Sequence, residues 1–153
     1  MRDQRYQIEV TSTFMSYEFI SEGPKGNIVK MIKYTETGYE NVYNLGFGDK
    51  LNGVDDFDDA VITDNKDSVR ILATVAATVF LFTEKYPNAY IAATGSTQSR
   101  TRLYQIGISN HLEEIEQDFD VLGYKNNVWE RFVKDENYSA FLIKRKNNNE
   151  KEK

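Results

Sequence analysis

The twelve residues from Ile71 to Phe82 read ILATVAATVFLF and constrain the fold more than any other part of the sequence. An apolar run of this length falls well short of the roughly 20 residues needed to span a bilayer. Charged residues flank it, with Arg70 before it and Glu84 and Lys85 after it. The run therefore predicts a helix buried on most of its circumference, and such a helix needs other elements to cover it.

The segments on either side of this run set the ends of the helix. Residues 49–67 carry seven acidic and two basic side chains, so their net charge of −5 equals that of the whole chain. Asp64 or Asp67 can cap the helix, and an acidic side chain at this end also suits the helix dipole. Pro87 disfavours helical geometry at the residue before it. We therefore expect one helix over residues 67–86.

The residues before the acidic segment alternate between apolar and polar side chains, which predicts strands. Three such stretches lie at residues 6–10, 17–19 and 43–47, and a fourth strand is expected from Ile28 to Tyr34. Between them, the sequence Gly-Pro-Lys-Gly at residues 23–26 predicts a tight turn. Short connections of this kind are typical of antiparallel strands.

The second half of the chain predicts a strand, a second helix and two further strands. Residues 89–94 form a short apolar run followed by Gly95, which is typical of a buried strand and a turn. An apolar stripe at helical spacing then predicts an amphipathic helix over residues 97–117. The stripe consists of Tyr104, Ile108, Leu112, Ile115 and Phe119. The last two strands are expected over residues 119–129 and 138–144.

The predicted order of elements is ββββ-α-β-α-ββ. Because strands and helices cluster in separate runs, this order favours the α+β class over a doubly wound sheet. We expect a curved, mostly antiparallel sheet packed on one long buried helix, with a second amphipathic helix. Residues 1–145 are expected to form a single domain, and the charged, Asn-rich tail at residues 146–153 is expected to be disordered.

The composition excludes several kinds of site and partner. The chain has no Cys, which excludes disulfides and thiolate-based metal or redox sites. No pattern in the sequence predicts a cofactor. The first residues contain no apolar signal sequence, so we expect a cytoplasmic protein with no membrane contact. A net charge of −5 argues against the broad basic surface that duplex DNA requires. The sequence does not predict an oligomeric state.

The start of the second helix carries the least expected charge pattern in the chain. Arg100 and Arg102 lie in its first turns, where the helix dipole favours acidic side chains. Glu113, Glu114 and Glu116 lie near its other end, where the dipole favours basic ones. Helix stability cannot explain this arrangement, whereas an anion bound at the helix start would.

An anion at this position would meet donors of several kinds. Backbone N–H groups, hydroxyls and a guanidinium together make a cradle for a phosphate group, and Gly95 would let the backbone approach the ligand closely. Thr97, Arg100, Thr101 and Tyr104 share one helix face, whereas Arg102 lies about 100–200° away from Thr101 and Arg100. The predicted binding residues are Gly95, Ser96, Thr97, Ser99, Arg100, Arg102 and Tyr104. The ligand class this predicts is a phosphate-bearing molecule such as a nucleotide or an RNA end.

Two alternatives compete with this hypothesis. Ser96 can be an ordinary N-cap, with both Arg side chains paired to the acidic segment. The helix start can instead receive an acidic partner protein, as in one half of a bacterial regulatory or toxin-type pair. The turn also lacks the spacing and the Lys of a P-loop. The sequence names no nucleophile with an adjacent base, so it leaves open whether the protein is an enzyme.

A second, weaker candidate site is the acidic cluster at residues 55–59. Its carboxylates could hold Mg²⁺ or Ca²⁺ through oxygen ligands. The cluster lacks the Gly and the terminal Glu of a calcium loop, so an exposed acidic loop anchored by Phe57 is the favoured interpretation. The carboxylates are Asp55, Asp56, Asp58 and Asp59.

Several longer strings occur together in this chain. They are YNLGFGD at residues 43–49, RTRLY at residues 100–104 and GPKGNI at residues 23–28, with Asp55-Asp56, TDN at residues 63–65 and GST at residues 95–97. In this combination the chain resembles a bacterial family of unknown function, found mostly in Bacteroidota, over roughly residues 5–145. The resemblance implies one intact domain and implies no activity.

Overall fold

The structure is a computed structural model that describes residues 4–58, 63–95 and 97–147. Its helices are α1 (Ser68–Lys85), α2 (Gln98–Asn110) and α3 (Leu112–Asp118). Its strands are β1 (Glu9–Val10), β2 (Ser16–Gly23), β3 (Gly26–Glu36), β4 (Val42–Asp49), β5 (Tyr90–Ala93), β6 (Phe119–Lys125), β7 (Val128–Arg131) and β8 (Ala140–Arg145). These elements confirm the predicted α+β class.

Eight strands form one open, mostly antiparallel sheet in the order β1-β2-β3-β4-β5-β8-β6-β7. The neighbouring strands β4 and β5 pair in parallel. The segment between them contains α1 and brings the chain back to the end of the sheet at which β4 began, so that both strands run in the same direction. By contacts the chain divides into two compact units. The first unit comprises residues 1–34 and 46–85, and the second comprises residues 35–45 and 86–153.

In the first unit, α1 packs on aromatic side chains of the strands. The ring of Tyr34 on β3 stacks on Phe82 with 4.1 Å between the centroids, and its hydroxyl shares a 2.8 Å hydrogen bond with Thr78. No residue of the helix from Ile71 to Thr83 is exposed. The prediction of one buried helix at residues 67–86 is therefore confirmed to within one residue at each end.

The side chain of Asp67 bonds to hydroxyl groups of neighbouring segments. Its Oδ2 accepts hydrogen bonds from the hydroxyls of Tyr6 and Ser21, both at 2.6 Å, and its backbone carbonyl accepts the N–H of Ile71 in α1. Burial, followed by the hydrogen bond to Asp67, raises the pKa of Tyr6 above its ordinary value. Asp67 therefore ties the start of α1 to β2 and to the N-terminal segment.

In the second unit, β8 lies between β5 and β6 and is antiparallel to both. One face of these strands is buried and carries Ile91, Val121, Phe141 and Ile143. The buried side chains of α2 are Arg100, Tyr104 and Ile108. Tyr104 and Ile108 belong to the apolar stripe that the sequence predicts, whereas its members Leu112 and Ile115 are only partly buried.

The second predicted helix, residues 97–117, is wrong as a single helix. It is interrupted at His111, where φ is −126° and ψ is 23°, and the N–H of His111 bonds to the carbonyl of Ile108 three residues back. The chain leaves α-helical geometry there and restarts as α3. The apolar spacing is similar on both sides of the break, so the pattern does not reveal it.

The predicted strand over residues 119–129 is in fact part of a hairpin. Asn126 and Asn127 both have positive φ and turn the chain between β6 and β7, because Asn tolerates the left-handed region better than other non-glycine residues. Gly123 lies within β6. A Cβ at this position would lie 2.4 Å from the Tyr138 ring, so Gly123 provides the space in which that ring packs.

The end of the described chain is held by hydrogen bonds. Lys146 donates from its backbone N–H to Asp118 and from Nζ to the carbonyl of Glu116. The rest of the predicted disordered tail, residues 148–153, lies outside the described residues. No helix of the described part is long and apolar enough to cross a membrane.

Candidate functional site

The predicted anion site lies at the start of α2 in the second unit. Thr97 is the N-cap of this helix, and its Oγ1 accepts the N–H of Arg100 at 3.2 Å. The carbonyl of Thr97 also accepts the N–H of Thr101. Ser96, the N-cap in the alternative interpretation, lies outside the described residues.

A glycine is required at position 95 because the first turn of α2 packs directly against it. A Cβ at this position would lie 2.3 Å from the backbone N of Thr101 and 2.8 Å from Cβ of Arg100. The N–H of Gly95 donates to Thr101 Oγ1 at 3.1 Å. The sequence analysis explained this glycine by the close approach of a ligand. The structure shows the close approach of the first turn of α2.

The two arginines of α2 lie on different faces of the helix. Arg100 is 4% exposed and lies on the buried face with Tyr104, one turn further along. Arg102 is exposed. The spacing argument grouped Arg100 with Thr97 and turned Arg102 away. The structure instead brings Arg102 to the same cleft as Thr97, because burying the apolar stripe of α2 also buries Arg100.

This cleft has a volume of about 850 Å³. From the helix side it is lined by three predicted site residues, Gly95, Thr97 and Arg102, and by Thr94, Gln98, Thr101, Gln105 and Ile106. From the other side it is lined by Lys125, Asn126, Asn137, Tyr138 and Ser139. Of the remaining predicted residues, Ser99 is exposed in the first turn and Tyr104 is buried, and neither lines the cleft.

The far wall of the cleft carries a second cation. Lys125 Nζ lies 2.5 Å from a carboxylate oxygen of Glu136 and 3.8 Å from one of Glu130. The hydrogen bond to Glu136 is the largest cause that raises the pKa of Lys125 above its ordinary value. The Tyr138 hydroxyl donates a hydrogen bond to Glu130 Oε2 at 3.0 Å. Burial is the largest of the causes that raise the pKa of Tyr138.

Gln105 joins the two walls of the cleft. Its Oε1 accepts the N–H of Tyr138 at 3.0 Å, and its Nε2 donates to the carbonyl of Glu136. The side-chain amide of one α2 residue therefore fixes the segment that leads into β8. Sequence reasoning missed the far wall because its residues are distant along the chain from α2. The Asn126-Asn127 pair was the available signal, since it predicts a hairpin turn.

The acidic cluster lies in the first unit. Asp56 lies 3.8 Å from Lys33 and accepts the N–H of Phe57. The Phe57 ring packs where Gly46 and Gly48 have no side chain, since a Cβ at either would lie 2.8 Å from the ring. This contact agrees with the predicted anchoring role of Phe57. Asp59 lies outside the described residues. Among the residues that the structure describes, no group of three acidic or His side chains could hold a metal ion.

The family of the chain follows from its sequence over nearly its full length. Residues 2–146 match a family of unknown function, DUF6934, and the chain belongs to that family. This confirms the resemblance to a family of unknown function. No curated protein and no solved structure matches the chain.

Proposed function

We propose that the protein binds a phosphate-bearing ligand, such as a nucleotide or an RNA end, in the cleft at the start of α2, and that it does so in the bacterial cytoplasm. The observation that carries the proposal is the position of Arg102. Its exposed side chain lines a cleft of about 850 Å³ together with Thr97, the N-cap of α2.

The start of α2 supplies donors for an anion. Thr97 accepts the N–H of Arg100, and the N–H groups of Gln98 and Ser99 have no acceptor within the helix, as in the first turn of any helix. These amides and the helix dipole favour a negative charge. Arg102 adds a guanidinium, which binds phosphate in a bidentate manner. The site thus combines the two kinds of donor that phosphate groups prefer.

The size and lining of the cleft favour a nucleotide over free phosphate. Small-molecule sites commonly have volumes of about 300–1,000 Å³, and this cleft lies in the upper part of that range. The amides of Asn126 and Asn137 and the exposed side chain of Ile106 also line the cleft. Amide groups bind the hydrogen-bonding edges of bases, and apolar side chains pack on their faces.

Thermal unfolding with and without adenosine monophosphate tests the proposal. A ligand at about 100 times its Kd stabilises the folded state by about 2.7 kcal/mol, which raises Tm by several degrees. We expect this rise in the wild type and a much smaller one in Arg102→Gln. The control Arg5→Gln removes the same charge at an exposed position in the first unit and should respond like the wild type. Equal rises in all three proteins, or none, would exclude Arg102 as a ligand-binding residue.

Arg100 needs a separate readout because it is buried. Arg100→Ala removes a large side chain from the core face of α2, so we expect a lower Tm with or without ligand. A variant that keeps the wild-type Tm and loses the response to ligand would instead place Arg100 in direct contact with the phosphate.

Docking of an acidic partner protein is the second candidate function. Ile106 is 47% exposed and lines the cleft beside Arg102, and an exposed apolar side chain next to a cation suits a protein partner. Ile106→Ser separates the two functions. It should leave the affinity for inorganic phosphate, which has no base to pack on Ile106, within about twofold of the wild type, and should weaken docking of an acidic partner protein through the lost apolar contact.

A further inference from the structure

The sequence contains one Asn-Gly pair, Asn52-Gly53, which lies in the loop after β4. Asparagine is among the thermally labile side chains of proteins. The backbone nitrogen of the next residue can attack the amide carbon of an asparagine, and a side chain on that next residue hinders the attack. Glycine has no side chain, so an Asn-Gly pair has the lowest steric barrier to this reaction.

The structure leaves this pair open to solvent. Asn52 and Gly53 are both exposed and lie in a turn, which the hydrogen bond from the N–H of Leu51 to the carbonyl of Asp56 closes. Within the described part of the chain, no group forms a hydrogen bond with the Asn52 amide or with the N–H of Gly53. The fold therefore supplies no contact that fixes the Asn52 side chain away from the Gly53 nitrogen.

The backbone around Gly53 also has room to rotate. Its φ of 75° lies in the left-handed region, which glycine adopts without strain. A Cβ at this position would meet nothing within 4 Å, whereas a Cβ at Gly95 would lie 2.3 Å from the backbone N of Thr101. No neighbouring group of the described chain therefore blocks the rotation that ring closure between the two residues needs.

We propose that Asn52 is a site of spontaneous deamidation in the folded protein. The Gly53 nitrogen forms a bond to Cγ of Asn52, and the side-chain nitrogen leaves as ammonia with the proton that the Gly53 nitrogen gives up. The product is a five-membered succinimide ring. Water then adds to one of the two ring carbonyl carbons and opens the ring to an aspartate or an isoaspartate at position 52. One ammonia is released and one water is consumed, without oxidation or reduction.

Other asparagines of the chain provide the contrast. Asn65 is 1% exposed, and its amide nitrogen donates to the carbonyl of Gly26 at 2.9 Å. This bond and the burial fix the side chain and keep water from it. Asn126 and Asn127 are exposed, but the residues that follow them are Asn and Val, whose side chains hinder the attack. We therefore expect Asn52 to react before these three.

Incubation of the purified full chain at mildly alkaline pH, followed by peptide mass spectrometry, tests the proposal. Trypsin cleaves after Lys50 and Lys66, so one peptide contains both Asn52 and Asn65, and its fragment masses compare the two sites directly. We expect Asn52 to react at least about tenfold faster than Asn65. The reaction should accelerate as the pH rises, because the attacking nitrogen must lose its proton. Each modified molecule gains one negative charge and should elute later from an anion-exchange column.

Two variants and an unfolded sample separate this reaction from other causes. Asn52→Gln keeps Gly53 and the exposed loop but would have to close a six-membered ring, so it should stay unmodified over the same period. Gly53→Ala puts a methyl group on the attacking residue and should slow the reaction by at least about tenfold, which corresponds to a barrier raised by about 1.4 kcal/mol. The wild type unfolded in guanidinium chloride should react within about threefold of the folded protein, because the fold does not restrain the loop.

Three results would overturn the proposal. The first is an intact Asn52 in the folded protein under conditions that modify it in the unfolded chain, since the fold would then protect the loop. The second is modification of Asn65 as fast as that of Asn52, since neither exposure nor the following glycine would then select the site. The third is an equal rate in the wild type and Gly53→Ala, which would contradict ring closure by the Gly53 nitrogen.

Discussion

Replacing Lys30 by Met should strongly destabilise the first unit. Lys30 is completely buried, and its ammonium donates hydrogen bonds to the Asp49 carboxylate and to the carbonyl of Thr63. Thr63 in turn donates its hydroxyl hydrogen to Asp49 over 2.5 Å. This cluster ties the end of β4 to the segment that precedes α1. Neither residue pattern nor spacing in the sequence indicates it.

The size of the effect follows from the burial of the two partners. Breaking a buried ion pair by removing one partner costs about 3–5 kcal/mol. The Asp49 side chain is 20% exposed and keeps the hydroxyl of Thr63 as a donor. Met nearly fills the volume of the Lys stem, so little cavity energy is added. We therefore expect Lys30→Met to lower the free energy of unfolding by about 2–4 kcal/mol.

The effect should depend on pH. Burial acts to raise the pKa of the Asp49 carboxyl, but hydrogen bonds from Lys30 and Thr63 outweigh it and hold that pKa below its ordinary value. A carboxyl with a lowered pKa stabilises the folded state above its unfolded pKa, and this stabilisation is lost as the pH falls through the folded value. The difference between wild type and Lys30→Met should be largest near pH 7 and shrink below about pH 4.

Urea unfolding at about pH 7 and about pH 3 measures both effects. Lys33→Met is a matched control on the same strand, because Lys33 is partly exposed and pairs loosely with Asp56 at 3.8 Å. The Lys33→Met substitution should lower the free energy of unfolding by at most about 1 kcal/mol. If Lys30→Met and Lys33→Met differ by less than about 0.5 kcal/mol at pH 7, within the range of ordinary surface substitutions, the buried cluster does not stabilise the fold as argued.

Three further substitutions test the packing. Val75→Asp puts an unpaired charge on the buried face of α1 and should prevent folding, so a soluble variant that unfolds cooperatively would contradict the buried helix. Gly95→Ala should lower the urea unfolding free energy by about 1–3 kcal/mol through its clash with Thr101, whereas Gly38→Ala, with open space around it, should not. Thr97→Ala should lower the free energy of unfolding by about 1 kcal/mol, because the N-cap hydrogen bond is lost. Thr97→Ser keeps the hydroxyl and should retain most of that stability. A Thr97→Ala melt identical to that of the wild type would show that the cap contributes nothing.

The parts of the fold that the sequence predicts are those governed by local pattern. The apolar run in α1 contains too few polar side chains to form a solvent-facing side of the helix. Its burial and its bounds therefore follow from the residues alone. The turn at residues 23–26 follows from its two glycines, and Gly23 indeed pairs with Gly26 at the end of the β2–β3 hairpin. In both cases the neighbouring residues determine the structure.

The parts that the sequence does not predict depend on contacts between distant segments. Helical spacing places Arg100 and Arg102 on different faces, but only the packing of α2 decides which of them is buried. The far wall of the cleft requires Gln105 to meet the carbonyl of Glu136, a contact between residues far apart in the chain. The break at His111 lies inside a continuous apolar stripe, so the stripe conceals it.

The most direct test of the proposed phosphate site is an NMR titration of the ¹⁵N-labelled protein with adenosine monophosphate, with adenosine as the control. We predict saturable shifts of the amide signals of Gln98, Ser99 and Thr101 and of the Arg102 side chain with the nucleotide. Adenosine should leave these signals almost unchanged, because it lacks the anion that the helix start would bind. Shifts absent from the start of α2, or equal for nucleotide and nucleoside, would contradict a phosphate site in this cleft.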